Sequence, residues 1–327
     1  MSNIVEIKNL RVSFGSNGER VDAVSGISLS VPEGSTVGIV GESGCGKTVT
    51  ALSIMRLIPE PPGRIDYGEI IFDGENLLKI SERGMRAIRG NRISMIFQEP
   101  MSSLNPVFSI GEQIGEALRT HLKLSKSAER ERVLELLRLV RIPEPHKRIK
   151  NYPHELSGGM CQRVMIAMAL ACNPELLIAD EPTTALDVTI QASILELIGE
   201  LKGKIGMSVL LITHDLGIVA EVADTVYVMY AGQIVEEAPI RNLFKNPRHP
   251  YTVGLMNSIP SLHIRKERLR AIPGIVPDLK DLPIGCRFQQ RCPLVMNECR
   301  ISEPPLRQID RGHFSACYRA EDVNLEV

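Results

Sequence analysis

Gly41-Glu-Ser-Gly-Cys-Gly-Lys-Thr48 is the stretch with the clearest chemistry, because it spells G-x-x-x-x-G-K-T directly after the apolar run Thr36 to Val40. Gly41, Gly44 and Gly46 let a backbone fold tightly round a phosphate chain and turn N–H groups inward at a helix start, where the dipole also favours anions. Lys47 would neutralise β- and γ-phosphates, and Thr48 would place its hydroxyl on Mg²⁺. Glu42, Ser43 and Cys45 fill the loop and Val49 follows it, so residues 41–49 form one candidate nucleotide cradle. A second chemical pair is Asp180-Glu181, two acids closing the apolar run Leu176 to Ala179. Acids at the end of a buried strand are costly unless something positive meets them, and Mg²⁺ beside a phosphate loop would do so. His214 ends another apolar run, Val209 to Thr213, and Gln98 follows Ile93 to Phe97. Strand ends carrying phosphate-, metal- and proton-handling residues are where open parallel sheets place their ligands.

The elements positioning these residues follow from periodicity. Ile4 to Val12 and Ala23 to Val31 alternate apolar and polar residues and predict half-buried antiparallel strands, with Phe14 in the loop between them as core or as a stacking surface for adenine. Pro59 to Gly63 breaks the chain before a strand from Gly68 to Gly74 that turns at Asp73-Gly74. After Glu99-Pro100 and Asn105-Pro106 the period becomes helical from about Ile110 to Arg141, a helical block inserted into an α/β chain. Leu156-Ser-Gly-Gly-Met160 then opens a helix whose Ser157, Gly158 and Gly159 can offer a hydroxyl and bare N–H groups to an anion; an N-cap with a turn explains them equally well.

Composition sets bounds. The 327 residues suffice for two domains, and 43% apolar content supports a core. A formal net charge of -1 gives no global field for nucleic acid or an anionic membrane. We find neither a run of about 18 uncharged apolar residues nor a signal-peptide pattern at Met1 to Arg11, so a cytosolic chain is expected. Of seven cysteines, Cys286, Cys292, Cys299 and Cys317 bunch near the end, which in a reducing compartment points to metal before disulfide. Their spacing lacks the paired C-x₂-C knuckles of a zinc ribbon.

The ordered set GESGCGKT, Gln98, LSGGM, LLIADE, Ala-Leu-Asp187 and His214 resembles the ATP-binding cassette ATPases over residues 1 to about 240. The resemblance implies an α/β fold with a RecA-like P-loop NTPase core and antiparallel β subdomain (1–98 and 161–240), an inserted α-helical subdomain with the signature motif (99–160) and a small C-terminal metal-binding domain (241–327). It implies that Phe14 stacks on adenine, that Gln98 links Mg²⁺ and the attacking water to a membrane partner, and that Asp180 holds Mg²⁺ through water. Glu181 would be the general base, His214 the γ-phosphate contact and Asp187 a dimer-interface residue, while Ser157, Gly158 and Gly159 would touch ATP on an opposite subunit. Met160 stands where many cassettes have Gln, and Cys45 where Ser is commoner, leaving a thiol near the nucleotide open to alkylation or oxidation.

Asn246-Pro-Arg-His-Pro-Tyr-Thr252, with Leu255 and Ile259-Pro260, resembles the C-terminal extension of oligopeptide, dipeptide and nickel importer ATPases. The resemblance implies an ATPase subunit at the cytoplasmic face of a membrane. Its partners would be a paralogous ATPase or a second copy, two permeases and an external binding protein, with no nucleic acid. A [4Fe-4S] cluster on the four cysteines is expected in preference to zinc, stapling about 40 residues that make a poor core alone. Import of di- or oligopeptides is the expected work, with nickel or another small solute as the alternative. A soluble repair or translation cassette would need long coiled coils or a second cassette. A redox-responsive cassette with a regulatory role would not need Glu181.

Overall fold

The computed structural model describes residues 2–16, 19–98, 103–183, 187–258 and 272–324. Glu99-Pro100, Ala185, Leu186 and Ile259-Pro260 lie outside the described residues. Strands are β1 (Asn3–Ser16), β2 (Glu19–Pro32), β3 (Thr36–Val40), β4 (Gly63–Phe72), β5 (Glu75–Asn76), β6 (Ile93–Ile96), β7 (Leu176–Asp180), β8 (Ser208–Thr213), β9 (Thr225–Tyr230), β10 (Gln233–Pro239), β11 (Arg307–Asp310) and β12 (His313–Ser315). The chain divides into two compact units, one of Met1–Ile4, Pro32–Ser35 and Lys79–Leu210, the other of Val5–Val31, Thr36–Leu78 and Leu211–Val327. It passes from the first to the second inside β8.

In the first unit β6 and β7 pair in parallel, Ile93 with Leu176 through Ile96 with Ala179. All five residues of β7 are buried, Asp180 included, as a strand covered on both faces requires. The expected helical block is two helices. Ser109 starts Ile110–Leu122 with a capping box, its hydroxyl accepting from Glu112 N–H at 3.3 Å while Glu112 accepts from Ser109 N–H at 3.0 Å. Lys123 in the left-handed region ends it, and Ser125 caps a fresh helix, Lys126–Leu139. Ile110, Ile114 and Leu118 on one helix and Val133, Leu134, Leu136 and Leu137 on the other are buried, the period-3.6 stripes that sequence predicts.

The second unit holds an antiparallel layer of order β2–β1–β4–β5 and a parallel pair, β3 with β9, extended by antiparallel β10, β12 and β11. Phe14 is not in a loop: β1 runs four residues past Val12, and Phe14 pairs with Gly63 of β4. Asp73 and Gly74, both left-handed, make the tight turn into β5 that the Asp-Gly pair predicts. In the C-terminal stretch, the hairpin β11–β12 joins β10 through Glu236–Ser315 and Glu237–Phe314. Glu236 is wholly buried there and accepts from His313 Nε2 at 2.8 Å, from Arg248 N–H at 2.6 Å and from the Thr252 hydroxyl.

Helix Pro250–Asn257 follows, capped by His249, whose Nδ1 accepts the Tyr251 N–H at 3.1 Å. Burial pulls the His249 pKa down to about 3. An unfolded imidazole titrates near 6.5, so at lower pH the unfolded chain binds a proton that the folded chain refuses. This stabilisation is complete above pH 6.5 and is lost as pH falls toward 3. Unfolding free energy from urea titrations should drop by about 1 kcal/mol between pH 6.5 and 5.5 on this account alone. His249→Asn, which keeps an acceptor for the same N–H, should flatten the profile by that amount; an unchanged slope would assign it to other groups.

Candidate functional site

The phosphate loop lies wholly in the second unit. β3 delivers the chain to Gly41 and the helix Lys47–Ile54 receives it. Gly41 is at φ 157, and a Cβ there would sit 2.1 Å from the Met229 carbonyl oxygen; at Gly46, φ 103, it would sit 2.5 Å from the Ala23 carbonyl oxygen. Both approaches are to backbone, so neither neighbour can yield and glycine is required. Lys47 is buried with its ammonium donating to the carbonyls of Gly41, at 2.8 Å, and Glu42, at 3.0 Å. Ser43, Gly44 and Thr48 are exposed, presenting the loop's polar side outward.

Glu42 is clamped. Its N–H donates to the Tyr251 hydroxyl at 2.9 Å, and its carboxylate takes both arms of the Arg291 guanidinium at 2.7 and 3.0 Å. Tyr251 packs in an aromatic group with Tyr230 and Phe288, at centroid distances of 4.7 and 5.4 Å. Neither Tyr251 nor Arg291 is assigned to the site by sequence, though an acid inside a phosphate loop is itself a signal that a cation must face it. Cys45 differs from its expected reactivity. Its thiol is 1% exposed and burial pushes its pKa up, a shift only partly offset by Lys47, so it is shielded and held as the unreactive thiol.

Also in the second unit, Phe14 is half-buried on β1, and His214 is exposed immediately after β8. An open cavity of about 730 Å³ lies elsewhere, among Arg11, Ser13, Asp22, Asp66, Tyr67 and Arg287. No residue of the motifs lines it, and Arg11 and Arg287 are already spent on Asp22 and Glu303.

The first unit gathers the other candidates in three places. Asp180 closes β7 as a buried carboxylate. Glu181 follows in the left-handed region at φ 45, a conformation that costs a non-glycine residue of order 1 kcal/mol and is found where a side chain must be aimed. Its carboxylate accepts from Gln98 Nε2 at 3.1 Å. Ser157 caps the helix Gly158–Ala169 through Met160 N–H at 3.4 Å, with Ser157 and Gly158 exposed. Asp187 caps the helix Val188–Ile205, accepting from Ile190 N–H at 2.9 Å, and a Cβ on Gly159 would come within 3.1 Å of Ile190. The Ser-Gly-Gly turn and the Asp187 cap are therefore packed neighbours.

The four late cysteines are neighbours as well. The Cys286 N–H donates to the Cys299 carbonyl at 2.8 Å. Burial first, and then the other thiols, push Cys286 up to about 11 and Cys317 up to about 12. The Cys292 sulfur accepts the Leu294 N–H at 3.4 Å. Among the described residues, however, no three or more His, Cys, Asp or Glu side chains are gathered closely enough to hold a metal ion. The metal-binding character expected of this region is thus not shown, although its fold is. Among the described residues, no helix is long and apolar enough to cross a membrane.

Comparison with known proteins agrees with this geometry. Residues 24–184 match the ABC transporter family, and residues 235–299 match the oligopeptide/dipeptide transporter C-terminal region. A probable peptide ABC transporter ATP-binding protein of Sinorhizobium fredii is 54% identical, over 98% of this chain and 96% of that one. The oligopeptide transport ATP-binding protein OppD of Bacillus subtilis is 53% identical, over 96% and 88%, and the dipeptide transport ATP-binding protein DppD of the same organism is 53% identical over 99% and 98%. Among solved structures, the dimeric, ADP- and phosphate-bound ATP-binding cassette MJ0796 superposes with a TM-score of 0.65 at 29% identity, covering 72% of this chain and 99% of that one. With the phosphate loop, the acid pair and the Ser-Gly-Gly turn all built as described, the chain belongs to the ABC transporter family, as one of its ATP-binding subunits.

Proposed function

We propose that this chain hydrolyses ATP to power the import of di- or oligopeptides. One observation carries the reading: the phosphate loop shares a compact unit with a C-terminal region that matches the oligopeptide/dipeptide transporter type. Relatives over nearly the whole chain, named for peptide, oligopeptide and dipeptide transport, support it.

In this reading residues 41–49 cradle the phosphates, Lys47 neutralises the β- and γ-phosphates and Phe14 stacks on adenine. In the second unit Thr48 offers a hydroxyl oxygen, and in the first Gln98 and Asp180 offer amide and carboxylate oxygens, each of a kind that Mg²⁺ takes; Mg²⁺ when bound would screen the phosphate charge. Glu181 takes the proton from the attacking water as the bond from the γ-phosphorus to the ADP oxygen breaks, and Gln98 keeps its carboxylate aimed. His214 contacts the γ-phosphate. Ser157, Gly158 and Gly159 close on ATP held by a second ATPase, a paralogue or another copy, with Asp187 at that interface. Two permeases and an external binding protein would complete the importer, placing this subunit on the cytoplasmic face. Uptake of a labelled dipeptide into cells lacking other peptide importers should collapse with Lys47→Ala; unchanged uptake would overturn the peptide assignment and make labelled nickel the next solute.

For the C-terminal region the proposal is a [4Fe-4S] cluster held by Cys286, Cys292, Cys299 and Cys317. The bunching of four cysteines, with the Cys286 N–H donating to the Cys299 carbonyl, and a spacing that lacks the paired C-x₂-C knuckles of a zinc ribbon support that reading. When bound it would staple residues 286–317. Anaerobically purified protein should be brown with broad visible absorbance, lost in Cys292→Ser. A colourless preparation with stoichiometric zinc would overturn it.

A further inference from the structure

We infer that Arg291, supplied by the C-terminal region, is a positioning residue of the phosphate loop: its guanidinium grips and neutralises Glu42, so that the loop keeps both its shape and its affinity for a polyanion.

Arg291 is a committed residue. Its side chain is 4% exposed, its Nε donates to the Pro273 carbonyl at 2.9 Å, and its guanidinium lies over the rings of Tyr230 at 5.8 Å and Phe288 at 5.9 Å. A planar fork packed on rings has little freedom left, so its two parallel bonds to Glu42 fix the carboxylate in one place. Glu42 is then held at three points: the carboxylate by Arg291, the N–H by Tyr251 and the carbonyl by Lys47. Gly41 before it lies against the Met229 backbone so closely that a Cβ would come 2.1 Å from the Met229 carbonyl oxygen, so no larger residue fits there. The first half of the loop is therefore clamped by residues more than 200 positions downstream.

Charge supplies the second half of the argument. A carboxylate one residue into a phosphate loop repels the triphosphate that the loop must bind, and at a partly buried site that repulsion is poorly screened. Paired with Arg291, Glu42 contributes no net charge, and Lys47 acts on the phosphates undiminished. A tail staple alone would need neither the fork nor this particular partner.

The inference rests on the nucleotide-site reading above, and titration of MgATP by calorimetry tests both. Arg291→Leu should weaken MgATP binding about tenfold or more, because it leaves the carboxylate unopposed. Adding Glu42→Gln to that variant should recover part of the loss, to at least about threefold tighter than Arg291→Leu while still below native, which the loss of a structural staple would not do. Native affinity in Arg291→Leu, or a double variant no tighter than the single one, would overturn the inference. Should Arg291→Leu fail to fold, Arg291→Lys is measured instead: it keeps the charge and loses the fork, so weakening of threefold or more supports the positioning role and native affinity overturns it. A native chain that binds no MgATP would remove the nucleotide site itself, and this inference with it.

Discussion

Glu181→Gln should bind ATP as the native chain does while turning it over about 10²–10⁴-fold more slowly. That range is typical for removing a positioned base. The amide matches the carboxylate in size and can still accept from Gln98 Nε2, which lies 3.1 Å from the Glu181 carboxylate, so geometry is retained while basicity is lost. The left-handed backbone at Glu181 adds to the case, since a strained conformation is kept only where the surrounding fold enforces it. Steady-state hydrolysis measured beside equilibrium ATP binding separates the two properties. Turnover near the native rate would remove Glu181 from the role.

The second large effect is on stability. Glu236→Ala should lower unfolding free energy by about 3–5 kcal/mol. The deleted carboxylate is the common acceptor for His313, the Arg248 N–H and the Thr252 hydroxyl. These belong to three successive parts of the C-terminal stretch, and with the acceptor gone each becomes a buried donor costing about 1–3 kcal/mol. Urea midpoints for native, Glu236→Gln and Glu236→Ala proteins should fall in that order, the amide retaining one acceptor oxygen. A loss under about 1 kcal/mol in the alanine variant would mean that the donors find other partners. Whatever the cysteines hold, this carboxylate already ties β10 to β12.

What sequence made legible was local. Gly41 to Thr48 declares its own turn, and apolar runs such as Leu176 to Ala179 can only be buried strands when flanked by acids and helices. Ser157 announces a helix start because a short oxygen-bearing side chain satisfies an N–H of the first turn. Where sequence falls short, the cause is a distant partner. Phe14 belongs to a strand because β4 lies alongside it, and nothing near residue 14 says so. The break at Lys123 interrupts a stretch whose periodicity reads as one helical block from Ile110 to Arg141. Tyr251 and Arg291 meet Glu42 across 209 and 249 residues, a separation no periodicity can bridge. Cys45 is shielded where sequence suggests an open thiol, because exposure is a property of packing and the loop turns that side chain inward. Glu236 sits beside Glu237 in what could pass for a solvated pair, yet the pleat sends one inward, fully buried, and leaves the other half-buried.

The hairpin of β11 and β12 also bears on how such a chain survives at high concentration. A row of unpaired N–H and C=O groups along β10 would be a template for strand addition by any passing copy. β12 occupies part of that row, and β11, only four residues long and carrying Arg307, Gln308 and Asp310 toward solvent, offers a poor template in its place. Shortening the chain before residue 307 would therefore do more than remove a module: it would unmask a sticky border and turn a well-behaved subunit into one prone to self-association.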